Sequence, residues 1–267
     1  MKMRLTVLSC SLFAALGLPA LALPAWASTT GWTETPGGRV RVIIEDGAVA
    51  AHTGPGREIR GALQIELQPG WKTYWRNPGD AGVPPQISVE GGGSAQFDYP
   101  APVRFGGDDD GIGYKAPVSL PIIFALQPGD TQLKGNVFLG VCEKICIPVQ
   151  AEFSFPLHNT ESAEPQAIAA RTIVETAFER LPAAASPSFG VSDVKRDQDK
   201  AVFTLALPDP KAPAELFVAS NGIHLSEPVA AGDGSFVVKL HGEPKDTLVD
   251  YTIVQNGEAV SGQVRLD

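Results

Sequence analysis

The stretch Val137-Phe138-Leu139-Gly140-Val141-Cys142-Glu143-Lys144-Ile145-Cys146-Ile147-Pro148-Val149-Gln150-Ala151-Glu152-Phe153-Ser154-Phe155 decides how this chain folds. Val137, Leu139 and Val141 alternate before the cysteines, and Val149, Ala151, Phe153 and Phe155 alternate after them. Both runs carry strand periodicity. A disulfide needs Cα atoms about 4.4–6.8 Å apart, whereas an extended strand holds positions i and i+4 about 13 Å apart. The chain therefore reverses or coils between Cys142 and Cys146, and the flanks favour reversal. A hairpin looped at Glu143-Lys144-Ile145 puts the two cysteines opposite each other. A bond across so short a loop removes little chain entropy and stabilises the fold weakly. Spacing alone leaves two readings level: a permanent staple across a hairpin, or a bond that exchanges.

Outward from this hairpin the pattern is of short strands separated by Gly and Pro turns. Arg39–Ile44, Ile59–Leu67, Trp71–Arg76, Ile87–Glu90 and Val118–Leu126 read as strands, with Pro69-Gly70, Asn77-Pro78-Gly79-Asp80 and Pro128-Gly129-Asp130 as breaks. Many short strands at such intervals predict an antiparallel β-sandwich. One helix is expected from Pro165 to Leu181, with proline at its start and Pro182 at its end. Ala183-Ala184-Ala185-Ser186-Pro187 reads as a linker. Strand patterns then return at Ala201–Leu207, Glu215–Ala219, Ser235–Leu240 and Thr247–Val254, with Asn221-Gly222 and Asp233-Gly234 as turn signals. The second β unit carries no cysteine and no clustered His or carboxylate site, so it reads as a spacer or docking module.

The first residues read as an export signal. Lys2 and Arg4 precede an apolar run from Leu5 to Leu23, and Pro24-Ala25-Trp26-Ala27 offers a cleavage site, so the mature chain is expected to begin at Ser28. Val7-Leu8-Ser9-Cys10 is the weaker, lipid-anchored alternative. No later apolar run approaches the ~20 residues of a membrane span. The expected product is exported to the periplasm, where dithiols can be oxidised, and is not itself membrane-spanning. The formal charge is −9, more negative once Lys2 and Arg4 leave, which disfavours nucleic acid and anionic lipid. The two methionines, Met1 and Met3, leave with the signal, which counts against a copper(I) carrier built on thioethers.

Several segments resemble the periplasmic N-terminal region of the DsbD/ScsB thiol-disulfide reductases, with the ScsB branch nearest. They are Gly70-Trp71-Lys72-Thr73-Tyr74-Trp75-Arg76-Asn77-Pro78-Gly79-Asp80-Ala81-Gly82-Val83-Pro84-Pro85, Tyr99–Phe105, Gly113-Tyr114-Lys115 and Cys142-x-x-x-Cys146-x-Pro148. The resemblance covers most of residues 38–157 and, more loosely, the second β unit. It implies two immunoglobulin-like antiparallel β-sandwich domains in an all-β chain. Residues 1–27 are then the signal, 28–160 the redox domain, 161–186 a helix and linker, and 187–267 the second sandwich. It further implies that Cys142 and Cys146 are a redox pair, Cys146 entering mixed disulfides and Cys142 resolving them, with no cofactor beyond the disulfide. The implied partners are a membrane-embedded DsbD/CcdA-like electron donor and oxidised periplasmic thioredoxin-fold proteins. Family proteins continue into a multi-helix membrane segment and a thioredoxin-like domain. This sequence ends at Asp267, so those functions are expected from other polypeptides. The family's cap loop corresponds to Phe105–Tyr114, making Phe105, Asp109, Asp110, Ile112 and Tyr114 candidate cap residues, with the shielding aromatic replaced by Gly111 or Ile112.

Other residues carry competing readings. Trp71, Thr73 and Trp75 fall on one strand face, with Lys72, Tyr74 and Arg76 on the other; core packing is the plainer reading, and Trp71, Tyr74 and Trp75 as a contact surface the alternative. Asp108-Asp109-Asp110 reads as a solvated loop or an acidic cap, and lacks the spacing of a calcium loop. His52, His158, His224 and His241 are scattered singly, without metal or triad spacing. The rival functions are a non-catalytic binding module with a structural disulfide, and copper-stress metal handling through both thiolates.

Overall fold

Pairing in the computed structural model follows the hairpin register read from the sequence. Gln132–Cys142 and Cys146–Pro156 run antiparallel with Val137 opposite Ala151, Leu139 opposite Val149 and Cys142 opposite Cys146. The structure describes residues 28–45, 57–80, 82–106, 111–157, 163–242 and 246–266; the expected signal segment lies outside them.

The first sandwich comprises β1 (Thr33–Thr35), β2 (Gly38–Ile44), β3 (Arg57–Leu67), β4 (Lys72–Tyr74), β5 (Gln86–Val89), β6 (Ser94–Phe97), β7 (Val103–Arg104), β8 (Ile112–Tyr114), β9 (Val118–Leu126), β10 (Gln132–Cys142) and β11 (Cys146–Pro156). One sheet has the order β1-β2-β3-β9-β6. The other runs β11-β10-β4-β8-β7, with β5 also on β10. Alternation puts Val42, Leu63, Leu120, Ile122, Leu139, Val149 and Phe153 into one shared core.

The intervening residues of β2 and β3 face outward, where Ile43 and Ala62 are covered by helix α1 (Pro165–Glu179). The helix does this with small side chains: Ala167, Ala170, Val174 and Ala177 are its buried residues, whereas Ile168 is half exposed. Small residues at the contact let the helix backbone approach the sheet closely, so the sheet is buried on both faces around Ile43 and Ala62. Arg60 stacks on the ring of Phe178, 4.1 Å from its centroid, near the helix end.

The second sandwich is built from β12 (Ala183–Ala184), β13 (Gly190–Asp197), β14 (Lys200–Ala206), β15 (Ala214–Ala219), β16 (His224–Leu225), β17 (Val229–Gly232), β18 (Ser235–His241), β19 (Thr247–Gln255) and β20 (Glu258–Leu266). Its sheets are β12-β20-β19-β15 and β13-β14-β18-β16, with β17 also on β18. The segment expected to be a linker is not free: Ala183 and Ala184 pair in parallel with Val260 and Ser261. β19 and β20 turn at Asn256-Gly257, both at positive φ, a two-residue hairpin signal that the strand pattern alone did not use.

The two sandwiches share an apolar layer. Along β15, Leu216 and Val218 point into the second core, while Phe217 and Ala219 belong to the first. Phe217 meets Trp75 edge-on at 6.1 Å. Around this contact Asn77 Nδ2 donates to the carbonyls of Val218 (2.9 Å) and Leu225 (3.1 Å). Arg104 stacks on Phe217, donates to Leu216 O, and pairs with Glu227 at 2.6 Å. Arg76 pairs with Asp250 at 2.8 Å. Burial pushes the Asp98 carboxyl above its ordinary range; nearby Arg76 opposes this and Asp250 adds to it.

Candidate functional site

Cys142 ends β10 and Cys146 opens β11, so the hairpin itself brings their Cα atoms to 4.1 Å, and the two are disulfide-bonded. Their surroundings differ. Cys142 is 1% exposed, packed with Tyr74 and Phe105. Cys146 is exposed, beside Ile145 at 72% exposure. The loop residues Glu143, Lys144 and Ile145 are all exposed, and Glu143 N donates to Ile145 O.

The wall behind the bond comes from β4. Thr73 is in register with Val141 and Lys72 with Cys142, and Thr73 Oγ1 donates to Gly140 O at 2.9 Å. The strand alternation sends Thr73 and Trp75 into the sandwich and presents Lys72 and Tyr74 on the cysteine face. There the Tyr74 hydroxyl lies 3.6 Å from Cys146 Sγ. Its ring meets Phe105 edge-on at 5.8 Å. Lys72 Nζ and Lys115 Nζ lie 5.2 and 5.3 Å from the centroid of Phe105. The disulfide thus sits beside two aromatic rings, and both ammonium groups lie against one of them, Phe105.

Glycines leave the room these rings occupy. A Cβ on Gly82 would stand 2.6 Å from the ring of Tyr74, and one on Gly113 would stand 2.9 Å from Phe105. Gly111 has φ +142°, and a Cβ there would meet Phe105 and Tyr74 at 3.2 Å. The aromatic packed with Cys142 is Phe105, and Gly111 is the space beside it. The Asn77–Pro85 segment closes one side, with Ile112 N donating to Pro78 O and Gly140 N to Val83 O.

The remaining expected site residues lie elsewhere. Ile112 and Tyr114 face the sandwich core, not the sulfurs, and Tyr114 OH donates to Pro100 O at 2.8 Å. Burial pushes the Tyr114 hydroxyl far up, and that of Tyr99 likewise. Asp109 and Asp110, with Asp108, lie outside the described residues. Trp75 is buried between the sandwiches, Trp71 is half-buried over Gly37, and Tyr74 is buried at the cysteines. Lys72 and Lys115 were missed. Strand parity puts Lys72 on Tyr74's face, but no sequence signal says that β4 pairs with β10. His224 and His241 are not isolated: they are cross-strand neighbours on β16 and β18. Among the described residues no group of three or more His, Cys, Asp or Glu is arranged to hold a metal, and no helix is long and apolar enough to cross a membrane.

Comparison with known proteins meets this geometry. The family described as thiol:disulfide interchange protein DsbD, N-terminal, matches residues 39–158. The crystal structure of the N-terminal periplasmic domain of ScsB from Proteus mirabilis superposes with a TM-score of 0.68 at 19% identity, over 90% of this chain and 98% of that one. At that identity the match speaks for the fold. Yersinia pseudotuberculosis InvD has a TM-score of 0.20 at 8% identity, over 80% of this chain and 53% of that one. A marsupial T cell receptor has 0.19 at 11% identity, over 87% and 98%. Both are too loose to bear on the fold. No curated protein matches the sequence. The hairpin cysteine pair, the aromatic and glycine residues around it, and the match across residues 39–158 support a DsbD/ScsB-alpha-like domain in this part of the chain.

Proposed function

We propose that the protein is a periplasmic thiol-disulfide exchange carrier acting through Cys142 and Cys146. The observation that supports this most is the inequality of the two sulfurs, Cys142 at 1% exposure and Cys146 on the open side of the hairpin. Exchange needs one sulfur that partners can reach in line and a second held within bonding distance of it. A staple has no use for that difference.

In the reduced protein the Cys146 thiolate attacks one sulfur of a substrate disulfide. A Cys146–substrate bond forms, the substrate S–S bond breaks, and one substrate sulfur leaves as a thiolate that takes up a proton. The Cys142 thiolate then attacks Cys146 Sγ, re-forming the internal bond and expelling the second substrate thiol. The substrate gains two electrons and two protons, and the pair here loses them. A dithiol on a membrane-embedded DsbD/CcdA-like donor reverses the sequence and resets the pair. Oxidised periplasmic thioredoxin-fold proteins are the substrates that fit an exposed sulfur on a narrow hairpin tip. Tyr74 and Phe105 cover Cys142 and leave Cys146 as the sulfur that a partner meets. No cofactor is required, because the sulfurs carry the electrons.

The test is the reduction potential of the Cys142–Cys146 bond in the full chain. An exchanging bond lies above about −300 mV, where structural disulfides fall below it. The Cys142→Ala variant is expected to trap mixed disulfides through Cys146 in periplasmic extract. A potential below that bound, together with an empty trap, sinks the carrier reading and leaves the inert docking module.

A further inference from the structure

His224 and His241 stand opposite each other in the β16–β18 pair, with ring centroids 5.2 Å apart. Both are exposed at one edge of the second sandwich. The Nε2 atom of His224 lies 3.3 Å from Asp80 Oδ1, which belongs to the first sandwich's Asn77–Pro85 segment. A carboxylate accepts only, so His224 donates from Nε2, and in the neutral ring the lone pair is then on Nδ1. Outer carboxylates orient metal-binding imidazoles in this way.

We propose that His224 and His241 form a bis-imidazole site for a divalent first-row transition ion, with Zn(II) as the best geometric fit and Asp80 as a positioning residue. The spacing carries the argument. Zinc bound to an imidazole nitrogen at about 2.0–2.1 Å lies about 3.2 Å from the ring centre, so a tetrahedral angle between two such ligands separates the centres by about 5.2 Å. That is the separation found. Neighbouring rings commonly lie this far apart, and here the ladder, which fixes both Cα atoms, keeps the pair at a separation an ion can bridge. The remaining positions fall to water, since the His224 side chain is 48% exposed and Asp80 94%. Such an ion also ties the two sandwiches together, because Asp80 comes from one and both imidazoles from the other.

The test is calorimetric titration of the full, disulfide-bonded chain with Zn(II), which removes the cysteines as ligands. One equivalent is expected to bind. His241→Ala and His224→Ala each weaken binding at least about tenfold, and Asp80→Asn about tenfold through lost orientation. Circular dichroism should show each variant folded; should an alanine variant unfold, His→Gln at the same position carries the test. Absence of stoichiometric binding overturns the proposal, as does binding that survives either histidine substitution. Neither result touches the disulfide reading, which is measured without metal.

Discussion

Asn77 is a small side chain on which the junction of the two sandwiches depends, and replacing it with Asp tests that dependence without changing its shape. The amide donates to Val218 O at 2.9 Å and Leu225 O at 3.1 Å, while its own oxygen lies 3.4 Å from Gly79 N. Asn77 is buried. Removing it as Asn77→Ala deletes the two hydrogen bonds to those carbonyls and the longer one from Gly79 N. At about 0.5–1.5 kcal/mol for each net bond, the loss is about 3 kcal/mol. For a chain of this size that is roughly 6–12 °C in Tm. Asn77→Asp keeps the volume but turns the donor into an anion facing two carbonyl oxygens, so at pH 7 it should cost more than alanine. Its sign with pH follows from the environment. Burial among acceptors raises the folded-state pKa of the new carboxyl above its unfolded value. The penalty is therefore absent below the unfolded pKa, grows as pH rises between the two, and is complete above the folded one. Urea unfolding followed by tryptophan fluorescence reads this directly, since Trp75 abuts Phe217 at the junction. Asn77→Asp equal in stability to Asn77→Ala at pH 7, with no recovery towards pH 4, would refute the assignment of those bonds.

Three further outcomes are expected. Phe105→Ala removes the ring packed with Cys142 and should cost about 3 kcal/mol in urea unfolding, while dithiothreitol reduces the disulfide faster by an order of magnitude. Asp98→Asn removes a carboxyl whose folded pKa is raised; that group costs stability above its folded pKa and nothing below its unfolded one, so Tm should rise at pH 7 and stay unchanged near pH 3. Ala170→Leu forces a branched side chain between α1 and the outer face of β2 and β3, and should lower stability by about 1–3 kcal/mol, whereas Ile168→Ala on the exposed side should change it little.

The cysteine hairpin was legible because one register satisfies both the alternation and the reach of a disulfide, and the observed pairing is that register. The helix was legible in extent, ending at Glu179 instead of Leu181, but its contact was not. Ile168 is half exposed while the sheet takes the alanines, because close approach outweighs hydrophobic bulk where two backbones meet. The Trp71–Arg76 run alternates as a strand should, yet only Lys72–Tyr74 finds ladder partners; Trp75 and Asn77 are spent on the second sandwich. That contact left a trace in Leu216-Phe217-Val218-Ala219, an uninterrupted apolar run on a strand that a half-exposed sheet would have made alternate. What the sequence withheld was non-local: that β4 lies beside β10, so that Lys72 and Tyr74 reach the sulfurs.

The alternation of β15 between two cores bears on how this architecture can be cut and recombined. The family match stops at residue 158, but the layer containing Trp75 does not; it continues through Phe217 and Ala219, more than fifty residues further along the chain. Excising the first sandwich at that border would bare an oily scar over Trp75 and strand the guanidinium of Arg104 without its stacking ring. Transplanting either half onto another scaffold would demand a matching seam. The piece that can be inherited or engineered intact is therefore the pair.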